Sequence, residues 1–568
     1  MSEFDRTVDV LVAGSGAAGL VAALRADWHG LSTLLVEKSD KIGGTSAYSG
    51  GGLWVPNNAV TQADGLQDSF EEALTYLDDI IGDAGPASTH ERRVAFLTEG
   101  PAMIAFLIDQ GFRWRRATGY ADYYPHRPGG KAEGRGIEPQ LFDANRLGAW
   151  REHLRMSLLP PLPMYTNEAS SFALMVKTRH GAATAARVVG RLIGQRLRGR
   201  RPLTNGHALV AQLLALNLER NLPIWREAPL VELITEDGVV IGAVVERDGR
   251  RLRVRATRGV VLTTGGFARN PEMRAQYGPA PSSVEWTSVP PDDHGDGIRA
   301  GLAVGADTAL MDDAWWGPTL VDPATGHASF ILWERSFPHS IVVDAAGARF
   351  MNESESYVDA GHAQYERNAT VKAIPAWMIV DTDHRRRYPM ATMPPGLTPK
   401  GALKSGYITK ASTLEELAGK IGVDPAGLRA TVTRFNAMAE RGVDEDFGRG
   451  SNAYDNWYGD PSCTPNPNLG PIARAPFYAL QVWPGDLGTK GGLLTDEHAR
   501  VLDRDGTPIG GLYAAGNASA SVMGRTYAGP GATLGPATTF AYVAADDLAA
   551  IAPASPGRRR LLGADSRG

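Results

Sequence analysis

At 568 residues the chain is longer than one hydrophobic core usually organises, which predicts two domains and admits one inserted into the other. Hydrophobic residues make up 43% and charged residues 21%, too apolar for wholesale disorder, and a formal net charge of -5 supplies no basic field for nucleic acid, so no nucleic-acid partner is expected. The single cysteine, Cys463, excludes an intramolecular disulfide, a Cys-x-x-Cys motif and an iron–sulfur cluster held by several cysteines, and no metal site is assigned.

Met1 to Asp5 lead at once into a strand pattern without a signal-like segment, and no stretch of roughly 18 apolar residues occurs, so a cytoplasmic protein without a spanning helix is expected. Val8 to Ala13 is a buried-strand run, followed by the turn Gly14-Ser15-Gly16-Ala17-Ala18-Gly19, a helix of small residues and a second apolar run, Thr33 to Val36. Strand, helix, strand with a crossover of about a dozen residues predicts two parallel strands. Gly14 permits the tight turn, Gly16 lets the backbone meet a pyrophosphate at the helix N-terminus, Gly19 allows close helix-to-strand packing, and Glu37 can accept ribose hydroxyls. These features predict an adenine dinucleotide; NAD and FAD satisfy them equally.

A second glycine-rich stretch, Gly43-Gly44-Thr45 and Ser49-Gly50-Gly51-Gly52, is too flexible for a helix interior and predicts close backbone approach to a ligand. Between Glu168 and Glu219 there is no acidic residue, while Lys177, Arg179, Arg187, Arg191, Arg196, Arg198, Arg200 and Arg201 all occur. At about 100° per residue Val188, Val189, Leu192, Ile193 and Leu197 share one half of a helix and Arg187, Arg191 and Arg198 the other, with Arg196 out of pattern. A solvated helix packed on the domain is expected; peripheral contact of segment 177–201 with an anionic membrane surface is the second reading.

Further on, Val239 to Val245 and Leu252 to Ala256 suit strands joined through the hairpin signal Asp248-Gly249, and Gly259 to Thr264 is a separate buried strand ending in Gly265-Gly266. From Asp312-Asp313-Ala314-Trp315-Trp316 to about Pro484 the chain is richer in aromatics and prolines. The predicted class is α/β: a Rossmann-type dinucleotide-binding domain over 1–302 and 483–560, with a basic excursion at about 170–203, an inserted α+β catalytic domain over 303–482, and a frayed tail over 561–568 just after Arg558-Arg559-Arg560.

Gly43-Gly44-Thr45-Ser46, Thr264-Gly265-Gly266, Leu512-Tyr513-Ala514-Ala515-Gly516-Asn517, Asp296 in His294-Gly295-Asp296-Gly297, and Gly347-Ala348-Arg349-Phe350-Met351-Asn352-Glu353 stand in an order that resembles the fumarate reductase and succinate dehydrogenase flavoprotein superfamily over nearly the full length. The resemblance implies FAD held by Gly14, Ser15, Gly16, Ala17, Ala18, Gly19, Glu37, Lys38, Gly43, Gly44, Thr45, Ser46, Ser49, Gly50, Gly51, Gly265, Gly266, Asp296, Gly516, Asn517 and Leu534. Cys463 falls inside the expected insertion, so noncovalent FAD is expected. No second Gly-x-Gly-x-x-Gly follows a strand, which predicts a quinone-like or protein electron acceptor rather than NAD(P).

Within that superfamily the chain resembles the 3-ketosteroid Δ1-dehydrogenases, through Gly43-Gly44-Thr45-Ser46-Ala47-Tyr48-Ser49-Gly50, Asp122-Tyr123-Tyr124-Pro125, Asn352-Glu353-Ser354-Glu355-Ser356-Tyr357, Pro484-Gly485-Asp486-Leu487-Gly488-Thr489-Lys490-Gly491-Gly492 and Tyr527-Ala528-Gly529-Pro530-Gly531. The resemblance implies a 3-ketosteroid substrate. Tyr527 and the Gly531 N–H would hold the 3-oxygen, Tyr357 would take the proton from carbon 2, and Tyr123 would hydrogen-bond Tyr357. An unperturbed tyrosine has a pKa of about 10, so Tyr357 needs help to ionise, and Tyr123 is expected to favour its phenolate. Tyr120 and Trp316 are expected to line the apolar slot, with core packing as the alternative. The family often has proline where Ala528 stands and histidine where Arg525 stands. A fumarate-type reductase would need arginine and histidine clamps, whereas Ala518 to Gly531 holds one arginine and no histidine; desaturation at carbons 4 and 5 stays open as the nearer alternative.

Overall fold

The computed structural model describes residues 4–157 and 162–551. Met1 to Glu3, Arg558-Arg559-Arg560, the expected end of the first domain at 560 and the expected tail 561–568 lie outside the described residues.

Strand β1 (Arg6–Ala13) carries Val10, Leu11 and Val12 fully buried, as a central strand covered on both faces requires. Helix α1 (Ala17–Trp28) crosses over to β2 (Thr33–Val36), which pairs parallel to β1 with Val10 opposite Thr33 and Ala13 opposite Val36. On the other side β1 lies parallel to β3 (Arg250–Leu262), with Val10 opposite Gly259 and Ala13 opposite Leu262. The two strands expected at Leu252 to Ala256 and Gly259 to Thr264 are therefore one. Thr257 and Arg258 look like a polar break, but the register slips between Val8 opposite Ala256 and Val10 opposite Gly259, so they form a bulge rather than a turn. The expected hairpin is present: Asp248 and Gly249 both have positive φ, 51° and 70°, between Arg247 and Arg250.

A second sheet, built from the segment expected to be inserted, is antiparallel. Its strand β4 (Ala314–Val321) alternates its side chains under helix α2 (Tyr357–Asn368), whose Gly361 lets the helix backbone sit on Trp316. Strand β5 (Phe477–Thr489) runs antiparallel to β4, Trp316 opposite Asp486 and Thr319 opposite Trp483. The expected return to the first domain at 483 thus falls inside β5, because its Pro484-Gly485 pair, which reads as a loop, faces Gly317-Pro318 in the ladder. The chain leaves the sheet after Thr489, and the two crossings run side by side as Thr308–Ala309 paired with Gly492–Leu493. Back in the first sheet, β6 (Pro508–Ala514) adds parallel to β3, and α3 (Leu534–Ala550) packs on α1. Ala13, Val36, Leu262 and Ala514 bring the carboxyl ends of four parallel strands to one edge, where open α/β sheets bind ligands.

The basic excursion is the helix Arg179–Leu197, and it divides the apolar half expected from the sequence. Val188 is buried, but Val189, Ile193 and Leu197 face outward, because the helix docks through the narrow strip Gly181, Thr184 and Val188. Among the described residues no helix is long and apolar enough to cross a membrane.

Candidate active site

A cavity of about 590 Å³ runs from the glycine turn after β1 to a cluster of tyrosines. Its first part is built by helix starts. The turn Gly14 (φ 105°) delivers Gly16 to the N-terminus of α1, where the Ser46 hydroxyl accepts from the Ala17 N–H at 3.1 Å. α3 begins at Leu534 and the helix Asp296–Ala303 at Asp296, both in the cavity wall, so three positive helix ends face one space. Glu37 is buried and accepts from the Ser15 N–H at 3.0 Å, the Ser15 hydroxyl at 2.6 Å and the Ser39 N–H at 2.9 Å. Lys38 reaches Asp296 at 2.6 Å; against burial, that bond holds the Asp296 carboxyl below its ordinary range. Asp293, in the same wall, is pushed up to about 7 by burial.

The cradle fits a dinucleotide. At Gly16 an added Cβ would meet nothing nearer than the Ser46 hydroxyl at 3.5 Å, and at Gly50 nothing within 4 Å, yet both line the cavity; no protein atom explains their lack of a side chain. Ser15, Ala17, Ala18, Gly44, Thr45, Ser49, Gly51, Gly265, Gly516 and Asn517 line it too. Gly19, Gly43 and Gly266 stand behind the wall. Gly19 packs on the Gly14 carbonyl and Gly266 on Thr489, while the Gly43 N–H donates to the Ser15 hydroxyl at 3.1 Å.

The far end holds the tyrosines. Tyr357 opens α2; Tyr123 sits in the loop after the strand Trp114–Arg116; Tyr527 and Gly531 belong to the loop before α3. The Tyr123 hydroxyl donates to Tyr357 at 3.3 Å, Tyr120 meets Tyr123 at 3.2 Å, and Tyr458 donates to Tyr120 at 2.6 Å, a chain of four phenols that all border the cavity. The Tyr357 and Tyr527 rings stand 4.9 Å apart at 61°, and Tyr123 stacks on Tyr527 at 5.0 Å. Burial, with the fields of Tyr527 and Tyr120, pushes the Tyr357 phenol well above its ordinary value; the bond from Tyr123 pulls the other way and does not win. Burial also raises Tyr527, opposed by the Thr533 hydroxyl at 3.4 Å and by the Gly531 N–H. Gly531 has φ 97°, and a Cβ there would collide with the Gly52 carbonyl.

Trp316, expected in the slot, is not part of the cavity wall. Its indole N–H donates to Asp313 at 2.7 Å and it packs beneath α2 against Gly361 and Tyr365. The alternation of β4 sends its neighbour Trp315 to the other side, edge-on to Tyr527 at 5.3 Å and bonded to Asn517 at 3.0 Å. Arg525 pairs with Asp312 at 2.8 Å, and the Ala528 carbonyl accepts from the Tyr123 N–H at 3.1 Å and the Tyr76 hydroxyl at 2.6 Å. Tyr458, Phe330, Leu332 and Trp333 complete the far wall and escaped sequence reasoning. So did Arg135, which is fully buried between Asp122 at 2.6 Å and Asp68 at 2.8 Å and pins the Tyr123 loop. The four wall residues had one signal, the aromatic enrichment after Asp312, and Arg135 had none. Cys463 donates to the Leu469 carbonyl at 3.4 Å and is not in the wall. Among the described residues His339, Asp381 and Asp383 come within metal-ligand reach of one another, but Arg387, Arg474 and backbone N–H groups already occupy them.

Comparison with known proteins accords with this geometry. The FAD binding domain family matches residues 9–534. A 3-oxosteroid 1-dehydrogenase of Mycolicibacterium smegmatis is 45% identical, over 96% of this chain and 98% of its own. This chain belongs to the 3-oxosteroid 1-dehydrogenase family of FAD-binding oxidoreductases. A crystal structure of a 3-ketosteroid delta1-dehydrogenase from Sterolibacterium denitrificans in complex with 1,4-androstadiene-3,17-dione superposes with a TM-score of 0.91 at 43% identity, covering 96% of this chain and all of that one (100%). A 4-oxocyclohexanecarboxylate 2-dehydrogenase of Sinomonas cyclohexanicum is also similar, 36% identical over 96% of this chain and 93% of its own.

Proposed function

We propose that this chain introduces the carbon 1–carbon 2 double bond into ring A of 3-ketosteroids, in the cytoplasm. The observation that carries the reading is the convergence of Tyr357, Tyr527 and the Gly531 N–H on the end of a cavity that begins at the dinucleotide cradle. The Tyr527 hydroxyl and the Gly531 N–H hold the ketone oxygen as negative charge develops on it. This polarisation acidifies carbon 2, and the Tyr357 phenolate takes its proton. Tyr123 steadies that phenolate, and Tyr120 and Tyr458 extend the hydroxyl chain along which the proton can pass on. Bound FAD supplies, at its flavin ring, the acceptor for the hydride that leaves carbon 1. Electrons then pass to a quinone-like or protein acceptor.

Substrate size is argued from the walls. Phe330, Leu332, Trp333, Leu487 and Pro530 surround the tyrosines with apolar surface suited to fused rings, and the cations of the wall, Lys38 and Arg155, pair with Asp296 and Asp292 instead of facing a small carboxylate. Anaerobic addition of 4-androstene-3,17-dione should bleach the bound flavin and yield the 1,4-diene, identified by mass and ultraviolet spectrum. The corresponding 3-hydroxysteroid should leave the flavin yellow. Bleaching by 4-oxocyclohexanecarboxylate but not by the steroid, or a product unsaturated elsewhere, would overturn the reading.

A further inference from the structure

From Ala520 to Thr533, the stretch that carries Tyr527, the chain forms neither helix nor strand, so side chains must fix where that ring stands. Two bonds to the Ala528 carbonyl hold the chain just after Tyr527. Just before it the holder is Lys490. The ladder of β4 and β5 ends with Ala314 opposite Thr489, which sets the next residues, Asp313 and Lys490, side by side; the Lys490 N–H donates to the Asp313 carbonyl at 3.1 Å. Both side chains are buried, Lys490 fully. One oxygen of the Asp313 carboxylate accepts from the Trp316 indole at 2.7 Å and meets His362 at 2.8 Å, and the other faces Lys490 Nζ at 3.4 Å and Arg525 at 4.0 Å. Against burial, which raises it, the Lys490 ammonium and then His362 and Arg525 hold that carboxyl down at about 2.

A buried ammonium is costly unless it is paired and hydrogen-bonded, and the partners of this one surround Tyr527. Lys490 Nζ donates to the Thr526 carbonyl at 3.3 Å, in the peptide that leads into Tyr527, and the Lys490 carbonyl accepts from the Ser521 N–H at 3.2 Å. The same ammonium lies over the Trp315 ring, 4.7 Å from its centre. Trp315 in turn stands edge-on to Tyr527 at 5.3 Å, and its indole N–H donates at 3.0 Å to Asn517 in the wall of the dinucleotide cradle. We propose that Lys490 is a positioning residue for Tyr527: it fixes the peptide in front of that residue and the indole beside its ring, and so sets where the hydroxyl meets the ketone oxygen. The inference rests on the reading of Tyr527 as the ketone's donor. Lys490 is not in the cavity wall, so it acts through Tyr527 rather than on the substrate.

The test uses the FAD-loaded full chain and anaerobic single-turnover reduction of the flavin by 4-androstene-3,17-dione. Lys490→Met keeps the length of the side chain and removes its charge. Because it leaves the Asp313 carboxylate unpaired in the interior, the neutral pair Lys490→Met/Asp313→Asn is prepared beside it to keep the fold. Misplacing a reacting group by about an ångström costs up to roughly a hundredfold, so the limiting rate should fall about ten- to a hundredfold, less than in Tyr527→Phe itself. Steroid half-saturation, flavin content and flavin midpoint potential should stay near the parent values. In the Tyr527→Phe background the same substitutions should change the rate by less than about twofold, because the hydroxyl they position is gone; a residue that served stability alone would give no such dependence. Equal slowing with and without the Tyr527 hydroxyl, a shift in flavin potential that accounts for the slowing, or a parental rate in either variant would overturn the proposal. A Tyr527→Phe enzyme that itself keeps the parental rate would remove the donor, and this inference with it, which keeps the two failures apart.

Discussion

Replacing Tyr123 by Phe tests whether the phenol chain serves the base or merely fills space. The ring is kept, so its stacking on Tyr527 at 5.0 Å and its packing on Tyr454 at 4.3 Å survive; the hydroxyl that donates to Tyr357 at 3.3 Å is lost. In the neutral pair that bond is longer than the 2.7–2.8 Å usual for hydroxyls, about half an ångström from optimum, and contributes little. To the phenolate it is a charge-assisted bond worth about 1.5–3 kcal/mol, or roughly one to two pKa units. Burial already raises Tyr357 well above its ordinary value, so at neutral pH only a small fraction of the free enzyme carries the phenolate. The sign follows: kcat/KM should rise with pH, about tenfold per unit, and still be rising at pH about 10, the ordinary phenol value. Tyr123→Phe raises the Tyr357 pKa further and moves the rising limb to higher pH. A more basic phenolate abstracts faster once formed, which offsets part of the loss, so the net deficit at neutral pH should be about tenfold. The deficit should shrink as the parent enzyme approaches its plateau. A pH profile of kcat/KM for parent and variant decides the matter. Superimposable profiles would remove Tyr123 from the mechanism, and a deficit equal at every pH would make it a packing residue.

Tyr527→Phe should lower the rate by about a hundred- to a thousandfold, as expected for one lost oxyanion donor, with flavin content unchanged and stability lowered by about 1 kcal/mol; single-turnover flavin reduction is the assay, and full activity would dismiss Tyr527 as a donor. Gly531→Ala should be worse than a simple loss of flexibility, because the residue sits at φ 97° and its new Cβ would meet the Gly52 backbone. About 1–2 kcal/mol is expected from the left-handed backbone alone, seen as a lowered Tm, together with a loss of flavin reduction as the N–H is displaced. A variant with parental Tm and rate would show that this loop is not held as described.

The dinucleotide-binding half was legible because its requirements are local. A tight turn with φ 105° at Gly14, a helix starting at once after Gly16 and a carboxylate at Glu37 leave few sequences that satisfy them, and each falls where the pattern put it. Element boundaries were less legible wherever polar or turn-forming residues occur inside a ladder: Thr257-Arg258 as a bulge in β3, and Pro484-Gly485 opposite Gly317-Pro318 in β5. Trp315 and Trp316 show a different limit. Adjacent residues of a strand point to opposite faces, and composition cannot say which face is the pocket; that depends on α2 closing over Trp316 through Gly361, 45 residues further along. The catalytic end is the least local part of the molecule. Tyr120 and Tyr458 touch across 338 positions and Tyr123 and Tyr357 across 234, so no window of sequence holds the arrangement. What made Tyr357, Tyr527 and Gly531 readable was the likeness of whole segments to a known family, and Tyr458, in none of those segments, was missed although its hydroxyl bond, at 2.6 Å, is the shortest linking the four phenols. Residues that act through one another, such as Tyr458 through Tyr120 and Arg135 through Asp122, leave no mark until the chain folds. On the proposed mechanism, it is such residues, rather than those that touch the substrate, that set how readily a base at Tyr357 ionises.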